Sequence, residues 1–305
     1  MCFIKSYVWH FAIFQIDDSG SMCINDGNHL VKSGKSVKTV SCTRWQELMD
    51  CMRFHTKLAE VSGSMTEFRL LNGAPPVVVG TPDGGVGYSK MQQIMERSPG
   101  GGTPLCRHIR EVCERIREIE PQLRANGHKA VVVIATDGES SDGNIVEAMK
   151  PLHNLPAWVV IRLCTDDDKV VDYWNNIDSQ LELEMDILDD LFGEAAEVHG
   201  ANKWLTYAEP MHRLREWGVH LRELDLIDEG KLAMNQMHTI ANILSPVSEG
   251  NLPNPEIDFE EFIRAVKVSQ ASDKKVLNPQ TMKYEHWLRV DKLKSMYGPG
   301  GCTIA

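Results

Sequence analysis

No Cys-x-x-Cys pair, no His-Glu-x-x-His and no Cys/His set with zinc spacing occurs in the 305 residues. The eight cysteines (Cys2, Cys23, Cys42, Cys51, Cys106, Cys113, Cys164 and Cys302) are scattered, which excludes a recognisable zinc site or disulfide framework. No stretch approaches the roughly 20 apolar residues that a membrane-spanning helix needs. The apolar start is interrupted by Lys5 and His10 and lacks the charged, apolar, small-residue order of a secretory signal. Free thiols without an export signal imply a reducing, cytoplasmic setting. Positive charge is also short: 32 Lys and Arg stand against 43 Asp and Glu, a formal net charge of −11. Nothing global therefore draws the chain to nucleic acid, and no local basic patch of useful size replaces it. What remains is ordinary globular material, 42% hydrophobic and 25% charged, long enough for one large domain and a smaller one.

Hydrophobic patterning then orders the chain. Residues 9–16 are a nearly continuous apolar run closed by Asp17-Asp18-Ser19-Gly20-Ser21, the pattern of a strand buried on both faces. Residues 22–41 show no hydrophobic period, and helical spacing returns at Trp45, Leu48, Met49 and Met52 and reaches about Val61. Segments 67–71 and 76–79 flank Asn72-Gly73, a hairpin signal. A short helix at 87–97 leads to the loop Pro99-Gly100-Gly101-Gly102-Thr103-Pro104 and a long helix to about Ala125. A second buried strand, 129–135, ends at Thr136-Asp137-Gly138, followed by a helix near 144–153 and a strand at 158–164. Helices are expected at 168–180 and 182–199.

This alternation predicts an α/β fold with a doubly wound, mostly parallel sheet flanked by helices, over residues 1–204. Strands are expected to stop near residue 205, leaving a small helical C-terminal module at 205–297 and a flexible tail at 298–305. In the strand order 3-2-1-4-5-6, the strands ending at Asp17 and Asp137 are neighbours at the switch point where such sheets bind ligands.

The D-x-S-x-S element at Asp17, Ser19 and Ser21, with Thr103 in the glycine loop and Asp137 after the second buried strand, resembles the von Willebrand factor A domain family. The resemblance covers about residues 8–200, and Gly-Gly-Gly-Thr-Pro-Leu at 100–105 and Ala-Thr-Asp-Gly at 135–138 look like its intracellular branch. It implies a metal-ion-dependent adhesion site, with Asp17, Ser19, Ser21, Thr103 and Asp137 holding Mg²⁺ or Mn²⁺ and a partner protein's Asp or Glu completing the coordination. The chemistry agrees, because an all-oxygen donor set suits a hard cation that keeps waters. Neutral hydroxyls leave part of the metal's charge available to a carboxylate. The function implied is a non-catalytic, metal-dependent protein–protein interaction module. Two alternatives stand beside it: a metal-dependent phosphate-ester hydrolase, and a membrane-tethered scaffold in which the metal is structural.

Sharper catalytic motifs fail on inspection. A D-x-D phosphatase would need a second Asp where Ser19 stands. Gly34-Lys35-Ser36 lacks the leading glycine of a phosphate-binding loop, since His29 occupies that position. Gly138-Glu139-Ser140-Ser141 is followed by Asp142 rather than the Gly of a nucleophile elbow; Ser140, Ser141 and Asp142 suit turn and helix-cap roles. Residues 23–41 depart from the resembled pattern and read either as a surface insertion or, through Lys32, Lys35 and Lys38, as a basic rim beside the metal. Residues 225–236 and 250–261 resemble EF-hand loops that have lost their calcium ligands. The terminal Cys302-Thr303-Ile304-Ala305 fits a prenylation box, making Cys302 a candidate lipid site and the membrane a partner if it is used.

Overall fold

The computed structural model describes residues 11–33, 36–73, 75–165, 167–181, 183–245 and 252–298. They form two compact units. The first comprises the described residues up to Asp190 together with Arg213–Val219; the second comprises Leu191–His212 and the described residues from His220 onward. The boundary read from sequence, residue 204, falls within Leu191–His212.

The first unit is built on a six-stranded sheet in the order β5-β4-β1-β6-β7-β8. Its strands are β1 (Phe11–Ile16), β4 (Met65–Leu70), β5 (Val77–Val79), β6 (Ala130–Thr136), β7 (Ala157–Leu163) and β8 (Met185–Leu188). Every pairing is parallel except β4 with β5, the hairpin at Asn72-Gly73. Every residue of β1, β6 and β7 is buried, which is why those strands read as unbroken apolar runs. Along β1, Ala12, Phe14 and Ile16 belong to one core and Phe11 and Ile13 to the other.

The helices α1 (Arg44–Ser62) and α2 (Val86–Met95) supply the first core with Leu48, Met52, Met91 and Ile94. The helices α3 (Leu105–Ala125), α4 (Ile145–Met149) and α5 (Asp168–Leu181) supply the second with Ile109, Val112, Met149 and Trp174. The expected doubly wound, mostly parallel α/β sheet is therefore what the chain forms. Local chemistry sets the helix starts: Thr43 and Gln46 make a reciprocal capping box at α1. Asp142 accepts from the N–H groups of Cys106 and Arg107 at 2.9 Å each, a helix-cap role as expected but at the distant helix α3.

Two expectations change. Residues 182–199 are not one helix: Met185–Leu188 pairs with β7 as an edge strand, and α6 (Leu191–Ala201) follows. The segment without a hydrophobic period contains an antiparallel hairpin, β2 (Gly27–Ser33) with β3 (Ser36–Cys42). It forms its own two-stranded sheet, so it has no doubly buried face to produce an apolar run.

The second unit is mostly helical, with α8 (Arg222–Asp225), α9 (Met234–Leu244), α10 (Phe259–Gln270) and α11 (Val290–Tyr297). Strands do not stop altogether, because β9 (Val276–Asn278) and β10 (Lys283–Glu285) form a short hairpin. Asn202 organises its interior. Its amide donates to the carbonyls of Ile227 and Gly230 at 2.8 Å, and its oxygen accepts from Trp204 and Leu232. Asp258 caps α10 by accepting from the Glu261 N–H at 2.8 Å. The helix α7 (Glu209–Glu216) ends in the segment that belongs to the first unit.

That returning segment is built into the first core. Trp217 lies against Phe14 and stacks on His55, with ring centroids 5.8 and 5.4 Å away. Gly218 has φ +79°, and a Cβ there would come within 2.4 Å of Val131 Cγ1. Gly218→Ala should therefore cost about 2–4 kcal/mol, from left-handed strain and overpacking together. Urea unfolding of the full chain measures it, and a loss under 1 kcal/mol would contradict this packing.

Candidate metal centre

The parallel pairing of β1 with β6 brings two carboxylates to the same end of the sheet. The Asp17 N–H donates to the Ala135 carbonyl at 2.9 Å, continuing the ladder one residue past β1. The Asp17 side chain turns back into its own loop and across to β6. Its Oδ1 accepts from the Ser19 N–H at 2.9 Å and its Oδ2 from the Thr136 hydroxyl at 2.7 Å. Ser19 Oγ lies 2.9 Å from Ser21 Oγ, and the Ser21 hydroxyl donates to Asp137 Oδ1, also at 2.9 Å. Asp17 is thus tied to Ser19 through the backbone N–H, and the Ser19 and Ser21 hydroxyls lead on to Asp137.

Thr103 lies on the adjoining loop. Gly20 N–H donates to the Gly101 carbonyl at 3.1 Å and Gly100 N–H to the Asp18 carbonyl at 2.6 Å, stitching the two loops together. The Thr103 backbone is tied at both ends to Ser141: its N–H donates to the Ser141 hydroxyl, and its carbonyl accepts from the Ser141 N–H. One of the loop glycines, Gly101, is required here. Gly101 has φ +109°, and a Cβ on it would meet Asn72 Oδ1 at 2.4 Å. Asn72 in turn donates to Asp18 through both its backbone and its side chain, so Asp18 braces the loops.

Sequence reasoning missed one residue of this cluster, Arg44. Its guanidinium donates to Asp137 Oδ2 at 2.9 Å and grips both oxygens of Asp26 at 2.8 and 2.6 Å. Asp26 precedes β2, in the segment that departs from the resembled pattern. Arg44 opens α1, where no local spacing marks it as part of a site.

Burial, the largest influence, pushes the Asp17 carboxyl above its usual value; hydrogen bonds from Thr136 and Ser19 oppose this, and Asp137 adds repulsion. The Asp26 carboxyl is held below its usual value, chiefly by the Arg44 hydrogen bonds.

Among the described residues, a different group has ligand atoms within 4.8 Å of one another: Cys51, His55 and Glu216, all buried. The geometry suits a charge-balanced core better than a cation site. Glu216 takes Arg213 at 2.9 and 2.8 Å and Arg162 at 3.3 Å. Burial pushes the Cys51 thiol well up, keeping it protonated, and it donates to Glu216 at 3.2 Å.

The fold and this cluster define a doubly wound α/β protein with an oxygen-rich crevice at the carboxyl ends of its central strands. No protein-family model matches the chain, and no curated protein does. Among solved structures, the crystal structure of the SpRpn10 VWA domain is similar at 12% identity, covering 60% of this chain and 88% of that one, with a TM-score of 0.38. The fold class rests on the sheet order and its connections rather than on that likeness.

Asp17 also makes a prediction about pH. Its raised folded-state value means the native protein binds the extra proton, so its contribution to stability falls as pH rises through that value. In chelator-treated protein, Asp17→Asn should unfold at a higher temperature than wild type at neutral pH. The gap should close as pH drops into the carboxylate range. A pH-independent gap would assign the effect to packing.

Proposed function

We propose that this chain binds a divalent cation, Mg²⁺ or Mn²⁺, through Asp17, Ser19, Ser21, Thr103 and Asp137, and uses it to capture an acidic group of a partner protein. The observation that carries this is the convergence of two carboxylates and two hydroxyls: Asp17 bonded to the Ser19 N–H, and the Ser19 and Ser21 hydroxyls leading to Asp137. The donor set fits such an ion: all are hard oxygens, Asp17 is buried, and Asp137 keeps the oxygen that Ser21 touches toward the other donors. A bound dication would supply positive charge and an exchangeable coordination position.

The protein's own residues set the rest. Two carboxylates answer the dication, and Arg44 already neutralises part of one of them. With Arg44 itself paired to Asp26, the loaded site would sit near neutrality, and a coordination position left open beside neutral hydroxyls would take an Asp or Glu side chain of a partner. Thr103, in the loop whose Gly101 is bonded to Gly20, is the ligand expected to respond to partner binding. These roles match those implied by the resemblance to the von Willebrand factor A family, and the reading is a binding module without a catalytic step. No helix among the described residues is long and apolar enough to cross a membrane. Cys302, the candidate lipid site, lies outside the described residues.

Calorimetric titration of Mg²⁺ into chelator-stripped full-length protein tests the reading. Wild type should bind one equivalent, and Asp17→Ala should bind none while keeping its far-ultraviolet circular dichroism. Equal binding by both proteins would refute this ligand set.

A further inference from the structure

The segment that departs from the resembled pattern is joined to the site through a single ion-pair relay, and its arrangement is specific. Arg44 has two acidic partners, Asp26 and Asp137, and a side chain only 10% exposed. Asp26 is gripped through Nε and Nη2, the two-pronged face of the guanidinium, so its hold on Arg44 is the stronger geometry. Asp137 is held by the remaining Nη1 through Oδ2, the carboxylate oxygen that Ser21 does not touch. The hairpin fixes this relay in place: the Arg44 N–H donates to the Ile24 carbonyl at 3.0 Å, and the Asn28 N–H donates to Glu47 Oε2 at 2.9 Å, one turn further along α1. Gly27 lies so close to α1 that a Cβ would meet the Thr43 carbonyl at 2.9 Å.

We propose that Arg44, loaded by Asp26, is a built-in cation that sets how tightly the site holds its divalent ion, so that this segment is an affinity-setting element. The inference rests on the cation-binding reading above. A fixed positive charge on Asp137 lowers the site's affinity for a second cation without occupying the oxygen that faces the other donors. Asp26 offsets that charge in proportion to its hold on the guanidinium. Arg44 is thus a positioning residue that acts through Asp137.

Substitutions at Arg44 and at Asp26 should therefore shift metal affinity in opposite directions, which a merely structural role does not do. Arg44→Gln keeps a hydrogen-bond donor near Asp137 but removes the charge, and Mg²⁺ should bind on the order of tenfold more tightly. Asp26→Asn leaves the full guanidinium charge on Asp137, and binding should weaken several-fold. In the Arg44→Gln background the Asp26→Asn effect should largely vanish, because Asp26 acts through Arg44. Calorimetry with Mg²⁺ alone on the full chain, with Mn²⁺ paramagnetic resonance as a second readout, measures all four proteins. Weaker binding in both single variants, or an undiminished Asp26→Asn effect in the double variant, overturns the proposal while leaving the metal site standing. No binding by wild type overturns the metal reading and this proposal together. Should Arg44→Gln fail to fold, the part-exposed Asp26 decides alone: weaker binding supports the relay, and unchanged or tighter binding refutes it.

Discussion

The adjacency of β1 and β6 is the constraint from which the rest follows. Their in-register parallel pairing, Ala12 with Val131 through Ile16 with Ala135, brings the ends of two distant chain segments into one crevice. Each strand is buried on both faces, so its register cannot slip by one residue without exchanging the contents of the two cores. The rigidity that burial confers is inherited by the loops that start where the strands end. Asp17 and Thr136 bond across that junction, which makes the crevice an extension of the sheet rather than a feature of mobile loops. A site with short hydrogen bonds among small side chains needs such a base, because Ser and Asp reach too little to correct a misplaced backbone.

A second polar network is buried against the sheet. Arg162 on β7 is 2% exposed and pairs with Glu47 of α1 and Glu216 of the returning segment. Burying a charge this deeply is tolerated only when partners surround it, and removing one partner of such a pair costs about 3–5 kcal/mol. The network specifies one arrangement of α1 against the sheet. Since Glu47 also accepts from Asn28, the placement of α1 and that of the β2–β3 hairpin are coupled through one carboxylate.

Much of this was legible in sequence, and what was not has identifiable causes. The runs at 9–16 and 129–135 could be read because doubly buried strands leave little room for polar residues. The D-x-S-x-S element could be picked out because its side chains lie within one short loop, and Asp137 because it follows a doubly buried strand. The edge strand at Met185–Leu188 was hidden because Met185, Leu188, Leu191 and Phe192 recur at helical intervals, although the first two lie in a strand and the last two in a helix. The β2–β3 hairpin was hidden because it has little apolar pattern to show, with Val31 and Val40 both exposed. Arg44 was hidden for another reason. Its partner Asp26 is 18 residues away and Asp137 is 93 away, and no local pattern records a pairing over such separations. Buried ion pairs of this kind belong to tertiary structure alone.

The return of Arg213–Val219 to the first unit also has a consequence for where the chain can be cut. All the strands of the main sheet precede Asp190, yet the segment carrying Glu216 and Trp217 belongs to the same unit. Without that segment Arg162 would lose one of its carboxylates, and the surface of Phe14 and His55 that Trp217 covers would open to water. A boundary drawn where the strands end would therefore sever the sheet from part of its own core and leave a buried charge short of a partner.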